Sequence, residues 1–304
     1  MKKIFLLLLV LLTQKIYGQN TLAATAAVNA QLPGITEDSI NVRIAKIEGN
    51  LYFLDCVNGF GGGNIAASIG DDGILLVDDM YASMYTKLLA ALKTVSDKPV
   101  RMVINSHFHG DHIQGNKNFT GNAVVIAHDN VRTRLLKNPK LGADMLPAIT
   151  FSDSLTIHFN GEDIQLLHFP NCHTDADVVA YFSRSKLLHL GDMFFFEMFP
   201  AVYTEGGGNI RQLIKTLEEI IKRFPADTHV VPGHGNLATM NDLTAYLQML
   251  KETVNIVETN IKKGKTLEEM TKEKVLAKYD ALGNGGAQTT DQYLAMLYKL
   301  LKLE

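Results

Sequence analysis

The order of apolar segments predicts an α+β fold, a four-layer αββα sandwich formed by one domain over residues 42–304. Two groups of short apolar strands occur, and amphipathic helices follow each group. A sheet that is covered by helices on one face must bury its other face, so two such halves would pack sheet against sheet. With 304 residues, of which 46% are hydrophobic, the chain is long enough to build that core.

The first half is expected to contain six strands and two helices. The strands are predicted at Val42–Ile47, Leu51–Cys56, Ile65–Ile69, Ile74–Val77, Pro99–Ile104 and Val124–Ala127. A glycine-rich loop, Gly59–Gly63, interrupts them and is predicted to be mobile. Apolar residues recur at helical spacing in Tyr81–Thr94, and a second helix is expected around Asn130–Lys137.

The second half repeats this order of strands followed by helices. Its strands are predicted at Leu155–Phe159, Ile164–Phe169, Val178–Phe182, Leu187–Leu190 and His229–Val231. The segment Ile210–Phe224 is strongly amphipathic, and Asn209 is a suitable N-cap for a helix there. From Leu237 the chain is predicted to be helical to its end, with a break near Gly283–Gly286.

The N-terminal residues resemble a targeting segment and are not expected to belong to the fold. Lys2 and Lys3 precede the leucine-rich run Phe5–Leu12, and a small residue, Gly18, follows it. This layout is typical of a secretory signal peptide over residues 1–18, followed by a polar tail over residues 19–41. We therefore expect an exported protein, periplasmic or secreted, with no stable membrane insertion after signal cleavage.

The composition excludes several classes of protein. Lys and Arg number 29 against 32 Asp and Glu, a net charge of −3, so no basic patch indicates a nucleic acid partner. With no Trp and two Cys, the chain is not a disulfide-dense scaffold. The sequence leaves open whether Cys56 and Cys172 pair, and it leaves the oligomeric state open. A small-molecule substrate is the expected partner.

Three histidines and one aspartate lie within six residues, directly after a predicted strand. Imidazole and carboxylate groups are the usual ligands of Zn²⁺. Because alternate residues of an extended segment point the same way, His107 and His109 can share one metal ion. Gly110 permits a sharp turn, after which Asp111 and His112 can face a second metal ion.

Three further residues with metal-binding side chains follow the ends of other predicted strands. They are His173 in Asn-Cys-His-Thr, Asp192 in Leu-Gly-Asp and His234 in Pro-Gly-His-Gly. Loops at strand ends commonly carry functional residues. A lone His or Asp in a loop is usually structural, but together with the first cluster these three residues predict one shared metal site.

The succession His-x-His-x-Asp-His, His-Thr, Gly-Asp and Gly-His resembles the metallo-β-lactamase superfamily over roughly residues 42–255. The resemblance implies the αββα fold, with a site for two Zn²⁺ ions at one edge of the sandwich. By position, the resemblance implies that the first metal is bound by His107, His109 and His173, and the second by Asp111, His112 and His234. Asp192 would bridge the two metals. Asp78 would lie outside the ligands and orient them.

Two positions depart from the pattern of the family. Cys172 stands where the family usually has Gly, either as a redox-sensitive neighbour of the metal or as a small buried filler. The best-known lactamase class has Cys at the position of Asp192 and, three residues later, a Lys that holds the substrate carboxylate. This chain has Phe195 there. The ligand set is therefore more similar to dinuclear hydrolases with a bridging Asp, such as the glyoxalase II group.

The resemblance implies hydrolysis of a carbonyl substrate by a metal-bound hydroxide that Asp111 orients. Export favours β-lactams as substrates, whereas the missing lysine predicts weak β-lactamase activity. A lactone or thioester hydrolase fits the ligands equally well. From another class, the alternative is an iron-dependent oxidoreductase of the superfamily, although its diiron members typically carry Glu at the position of His109. The native metal, Zn, Fe or Mn, stays open.

An aromatic stretch directly follows Asp192 in the sequence. Phe194, Phe195 and Phe199 are predicted to wall a substrate pocket beside the metals, since ligand pockets are lined mainly by apolar and aromatic side chains. The alternative for each ring is packing in the core.

Overall fold

The computed structural model describes residues 37–284, 286 and 288–302. The predicted signal peptide and most of the predicted tail, residues 1–36, lie outside these described residues. The described part forms two β-sheets with helices on their outer faces, so the predicted α+β sandwich is confirmed. No helix in this part combines the length and the apolar character needed to cross a membrane.

The first sheet has seven strands that lie side by side in chain order. β1 to β4 are antiparallel neighbours, whereas β4 to β7 run parallel. The strands are β1 (Asn41–Glu48), β2 (Leu51–Val57), β3 (Ile65–Gly70), β4 (Gly73–Val77), β5 (Val100–Ile104), β6 (Val124–His128) and β7 (Ile149–Phe151). The parallel part brings the carboxyl ends of β4 and β5 to one edge of the sheet.

The second sheet has six strands in the order β13-β12-β11-β10-β9-β8. Its neighbours are antiparallel except for β11 and β12, which run parallel. The strands are β8 (Ser154–Phe159), β9 (Glu162–His168), β10 (Val178–Phe182), β11 (Leu187–Phe195), β12 (His229–His234) and β13 (Ala238–Thr239). The parallel pair therefore ends at one place, where β11 and β12 can present side chains together.

Helices cover the outer face of each sheet. Those near the first sheet are α1 (Tyr85–Lys93), α2 (Gly110–Ile113), α3 (Asn116–Phe119) and α4 (Asp129–Leu136). Those near the second sheet are α5 (Ile210–Arg223), α6 (Met240–Lys262), α7 (Leu267–Lys272) and α8 (Thr290–Lys302). Short 3₁₀ turns lie at Glu37–Ser39, Ala82–Met84, Ala143–Met145, Thr204–Gly206 and Ala277–Gly283.

Apolar residues from both sheets meet in the middle of the molecule. Phe53 and Ile104 of the first sheet share one buried cluster with Phe182 and Val231 of the second. Each fully buried side chain of this size contributes about 1.5–3 kcal/mol relative to exposure. The contact between the two sheets therefore stabilises the sandwich, together with a larger buried cluster between the second sheet and its helices.

Helix α5 shows why the outer layers form where the pattern predicts them. The side-chain oxygen of Asn209 accepts hydrogen bonds from the amides of Arg211 and Gln212, each at 2.9 Å, as expected of an N-cap. Leu213 and Leu217 recur at helical spacing and are fully buried. One face of the helix thus covers the second sheet, while its charged residues face solvent.

The structure differs from the prediction at the end of β11. This strand continues to Phe195, five residues beyond the predicted end at Leu190. Its pairing with β12 shifts around Gly191, which has a φ of +51°, and resumes where Phe195 pairs with His234. Asp192 therefore lies within a strand and not in a loop, and its backbone is held by the sheet.

Candidate metal centre

All seven predicted ligands meet at one edge of the sandwich. His107 stands three residues after the end of β5, β11 carries Asp192, and β12 ends at His234. The loop between β9 and β10 brings His173 to the same place. The side chains form two groups, each with its ligand atoms within 4.8 Å of one another: His107, His109, His173 and Asp192 in the first group, and Asp111, His112 and His234 in the second.

In the first group, two imidazoles lie beside one oxygen of Asp192, and the third lies against one of those imidazoles. His173 Nε2 lies 2.9 Å from His109 Nδ1 and 3.3 Å from Asp192 Oδ2. His107 Nε2 lies 3.7 Å from the same oxygen. Four donor atoms thus converge on one point, which is the arrangement that a four-coordinate metal ion requires.

In the second group, the other oxygen of Asp192 faces two imidazoles. Asp192 Oδ1 lies 3.1 Å from His112 Nε2 and 3.2 Å from His234 Nε2. Asp111 Oδ2 lies 3.3 Å from His234 Nε2 and 3.5 Å from His112 Nε2. Asp192 consequently directs one carboxylate oxygen at each group, the geometry of a bridging ligand.

Asp78, just past the end of β4, orients histidines of both groups. His112 Nδ1 donates to Asp78 Oδ2 at 2.7 Å, and the hydroxyl of Ser106 donates to the same oxygen at 2.7 Å. Ser106 Oγ also lies 3.0 Å from His107 Nδ1, from which it can accept a hydrogen bond. With their Nδ1 atoms engaged in this way, His107 and His112 both turn Nε2 toward the site.

Two further groups that orient the ligand histidines were not predicted from the sequence. Ser106 could have been suspected because it directly precedes the first histidine of the cluster. The other is the backbone carbonyl of Ala201, which accepts a hydrogen bond from His173 Nδ1 at 2.5 Å. No side-chain pattern signals a carbonyl, so only the structure could identify it.

The histidines of the first group are electrically neutral. Burial away from water, reinforced by neighbouring imidazoles, lowers the pKa of His109 to about 3. Burial likewise lowers the pKa of His107 and of His173. A neutral imidazole offers a nitrogen lone pair, which is the form that binds a metal ion.

The second group carries charges of both signs. Burial opposes charge on His234, but Asp192 and Asp111 outweigh it and raise its pKa to about 9. The pKa of His112 is raised by the same carboxylates together with Asp78, again against burial. Burial alone would raise the pKa of Asp111, yet the facing histidines hold it at about 2. The carboxylates thus hold the facing histidines in the charged form.

One unpaired atom indicates that the donor set fits a metal ion. His107 Nε2 is buried without a hydrogen-bond partner. An orphaned buried polar atom costs about 1–3 kcal/mol, and a cation held between the ligands would remove that cost. Imidazole with carboxylate is a ligand chemistry that zinc accepts.

The predicted mobility of the glycine loop is wrong for its second half. Gly61 to Asn64 are buried, and the amide of Gly63 donates to Asp111 O at 2.9 Å. The side-chain amide of Asn64 donates to Pro232 O and Gly235 O, at 2.9 and 2.8 Å, and thereby ties the loop to β12. A Cβ at Gly63 would lie 2.1 Å from the His112 ring, so only glycine lets the backbone approach this closely.

The predicted pocket wall is wrong for all three rings. Phe194 and Phe199 are fully buried, packed against Tyr246 and Tyr293 respectively, so neither can line an open pocket. Phe195 is 1% exposed, and its ring lies 5.2 Å from that of His234. All three rings belong to the core, and β11 continues through Phe194 and Phe195.

Two other aromatic rings flank the centre and were not predicted. Phe60, in the glycine loop, lies 5.5 Å from the His234 ring on the side of the second group. Phe108 lies 5.0 Å from the His109 ring on the side of the first group. Both are partly exposed, and each borders one of the two groups.

The two cysteines are free thiols and do not pair. Cys172 Sγ is buried and lies 3.2 Å from Thr216 Oγ1 of α5. Burial raises the pKa of the Cys172 thiol and raises that of Cys56 to about 12. The thiolate is the reactive form of cysteine, and a raised pKa disfavours it. Cys172 is therefore a small core residue behind the loop that carries His173.

The fold and the centre together define a two-sheet sandwich that carries a histidine and aspartate site at one edge. Residues 59–251 match the family model described as the metallo-beta-lactamase superfamily, and the chain belongs to this superfamily. A linear primary-alkylsulfatase from Pseudomonas sp. is 22% identical over 254 residues, covering 66% of this chain but 48% of that protein. The chain thus spans about half the length of the alkylsulfatase.

Lactamases are also among its relatives and structural neighbours. A type 2 metallo-beta-lactamase from Bacteroides fragilis is 25% identical over 181 residues, which cover 59% of this chain and 70% of the lactamase. The solved structure of a metallo-beta-lactamase from Pontibacter korlensis superposes with a TM-score of 0.60 at 19% identity. That match covers 69% of this chain and 99% of the lactamase, so it shows a shared fold.

Proposed function

We propose that the chain is an exported zinc-dependent hydrolase that cleaves a carbonyl substrate with water and binds two zinc ions. The observation that carries this proposal is the carboxylate of Asp192, which faces two histidines of the first group with one oxygen and two of the second group with the other. Export rests on the signal-peptide pattern of residues 1–18.

Different residues of the site would have different roles in such a reaction. Bound zinc ions would polarise the substrate carbonyl and lower the pKa of a bound water from 15.7 to ~7. His107, His109 and His173 would hold the first ion, and Asp111, His112 and His234 the second. Asp111 is 16% exposed and ionised, so its carboxylate can accept a hydrogen bond from an attacking water and orient it.

The surroundings of the site favour a substrate that needs no cationic anchor. Phe195 occupies the position at which a lysine would hold a substrate carboxylate, and its ring is buried. Arg134 lies 4.5 Å over the Phe108 ring, but its guanidinium makes two hydrogen bonds to the carboxylate of Asp175, at 2.8 and 2.7 Å. Its charge is therefore already paired.

These features support a neutral lactone or thioester at least as well as a β-lactam. A lost charge-assisted hydrogen bond to a substrate carboxylate costs about 1.5–3 kcal/mol, which corresponds to roughly 10–100-fold in affinity. The chain is accordingly a candidate β-lactamase with weak binding of carboxylated β-lactams. Phe60 and Phe108 would contact the apolar part of a substrate.

A primary alkyl sulfate is the second candidate substrate. The similarity to a linear primary-alkylsulfatase favours it, since that match covers two-thirds of this chain. The two rings at the border of the site would suit an alkyl chain. Sulfate ester cleavage would use the same ligands and the same attacking water.

The experiment is a substrate panel on zinc-loaded protein, with the metal content measured in the same preparations. We expect kcat/KM for a neutral lactone or thioester to equal or exceed that for a carboxylated β-lactam. Phe60→Ala should raise KM for the best substrate by about 5–10-fold, as the lost apolar contact predicts. Leu136→Ala, at an exposed position, is the matched control.

Four outcomes would count against parts of this proposal. Tight binding and fast turnover of the β-lactam would show that another group anchors its carboxylate. Turnover of the alkyl sulfate alone would favour the second candidate. If two zinc ions are bound and no panel member is cleaved, hydrolysis is contradicted; if the purified protein holds iron, the oxidoreductase alternative gains support.

A further inference from the structure

The C-terminal helices lie outside the family match, which ends at residue 251. Helix α8 buries Tyr293, Leu294 and Leu297 in the core cluster that it shares with the second sheet and α5. It packs beside the segment of residues 196–206, here called the β11 exit loop, which follows β11. This loop is also the one that carries the carbonyl of Ala201.

The C-terminal segment binds the β11 exit loop on both sides of Ala201. On one side, Gln288 Nε2 donates to Pro200 O at 2.5 Å, and Gln288 is 6% exposed. On the other side, the amide of Val202 donates to Met296 Sδ at 3.2 Å. The peptide units flanking Ala201 are therefore held directly by residues of the C-terminal segment.

Two further contacts extend this attachment along the loop. Tyr293 stacks on Phe199 with ring centroids 4.2 Å apart and an interplanar angle of 15°. Lys299 Nζ pairs with Glu205 Oε1 at 2.8 Å. The stacked pair is buried and the ion pair is exposed, so the stack contributes the larger share of the stabilisation.

The carbonyl that these contacts surround determines the orientation of one ligand. Ala201 O accepts a hydrogen bond from His173 Nδ1, which leaves His173 Nε2 facing His109 Nδ1 and Asp192 Oδ2. Outer partners of this kind set the tautomer and the angle of a ligating imidazole. A shift of the Ala201 carbonyl would therefore turn the His173 ring away from the first group.

We infer that the C-terminal helix α8, with Gln288 preceding it, is a positioning element for the first metal group and acts through Ala201 and His173. The inference rests on the proposed metal site. The second group is oriented differently, by Asp78 and by the glycine loop at Gly63. The helix should consequently affect the first group selectively.

The test is Gln288→Leu in the full-length protein, which removes the donor to Pro200 O and keeps a side chain of similar size. Affinity for each of two zinc equivalents is measured by competition with a chromophoric chelator. We expect the first-group affinity to fall by about 10-fold, the low end for loss of an outer partner, and the second-group affinity to stay unchanged. Gln248→Leu, on the exposed face of α6, is the matched control.

A spectroscopic readout separates positioning from general stability. The Nδ1 proton of His173, bonded to Ala201 O, should give a downfield NMR resonance, and so should the Nδ1 proton of His112, bonded to Asp78. Gln288→Leu should shift or broaden the His173 resonance and leave that of His112 in place. Met296→Leu, which keeps the core volume, should act in the same direction more weakly.

Two results would contradict the inference, and a third would separate it from the proposed function. If Gln288→Leu lowers thermal stability but leaves the His173 resonance unchanged, α8 is only structural. If both zinc affinities fall equally, the helix does not act on one group. If the unmodified protein binds no zinc, the proposed function fails, and the His173 resonance of the metal-free protein still decides whether α8 positions this side chain.

Discussion

The two groups of the metal centre use similar ligands, but the histidines of the first group are neutral and those of the second group are charged. In the first group, three neutral histidines lie beside a single carboxylate, that of Asp192, and burial lowers the pKa of His109 to about 3. In the second group, two histidines face three carboxylates, and the pKa of His234 is raised to about 9 despite burial. The number of carboxylates, and not the depth of burial, therefore decides the charge of each imidazole.

The two groups also differ in what holds them in place. The first group depends on Ser106 and on the carbonyl of Ala201, which comes from a loop supported by the C-terminal helix. The second depends on Asp78 and on close contact with the glycine loop. Asp192 faces ligands of both groups directly, whereas Asp78 reaches His107 of the first group only through Ser106, so Asp192 is the main link between the two groups.

Loss of the shared carboxylate should have the largest effect. In Asp192→Ala we expect reduced occupancy of both groups and a fall in hydrolysis of at least ~10³-fold, since a metal ion contributes several kcal/mol of transition-state stabilisation. Metal content and rate are measured on the same sample. Asp227→Ala, which removes an exposed carboxylate paired with Lys186 away from the site, serves as the control. Full occupancy with a normal rate would reduce Asp192 to a structural role.

Variants of single ligands should separate the two groups. His107→Ala is expected to lose the first metal, whereas Asp111→Ala and His234→Ala lose the second, because each removes one ligand from its own group. Each variant should retain about one zinc ion per chain and lose roughly 10²–10³-fold in rate. Elemental analysis counts the metals. Retention of two ions in all three variants would contradict the grouping.

A methyl group at Gly63 in the glycine loop should disturb only the second group of metal ligands. In Gly63→Ala the new Cβ would lie 2.1 Å from the His112 ring, so the ring or the loop must move. We expect second-group affinity to fall by about 10–100-fold and first-group affinity to be retained. Gly206→Ala, whose Cβ meets Phe108 at an ordinary 3.6 Å, is the control. Equal losses at both groups would show that the halves are not independent.

The smallest effect concerns the metal-free protein. The ordinary pKa of histidine is ~6.5, and that of His234 is raised to about 9, so its ion pairs stabilise the fold fully below pH ~6.5. This contribution is lost as the pH rises toward 9, and the melting temperature in chelator should fall over that window by a few degrees. The zinc-loaded protein should show a flatter profile. A metal-free protein that gains stability from pH 6.5 to 9 would contradict the charge assignment.

Much of the fold and most of the centre could be predicted from the sequence. Strands with continuous apolar runs, such as β4 and β10, were located within a residue or two because buried strands have a strong local pattern. β7 and β13 have three and two residues, too few to show any period, and they were missed. The ligands were found because metal-binding residue types were concentrated at predicted strand ends.

The errors arose where one local pattern fits two structures. An apolar residue next to a ligand looks the same whether it lines a pocket or packs below it, and Phe194 and Phe199 do the latter. A glycine-rich loop can be mobile or can be the place where the backbone must approach a ring, as Gly63 does. The link between Gln288 and Pro200 spans 88 residues, beyond the reach of any local pattern.

The two-metal centre is tested by stepwise addition of zinc to chelator-treated protein, with bound metal and hydrolysis of the best panel substrate followed together. We expect two zinc equivalents per chain in the unmodified protein, hydrolysis that increases as they bind, and weakened binding of both equivalents in Asp192→Ala. Binding of a single equivalent, or two equivalents whose affinities are both unchanged in Asp192→Ala, would contradict a centre bridged by this carboxylate.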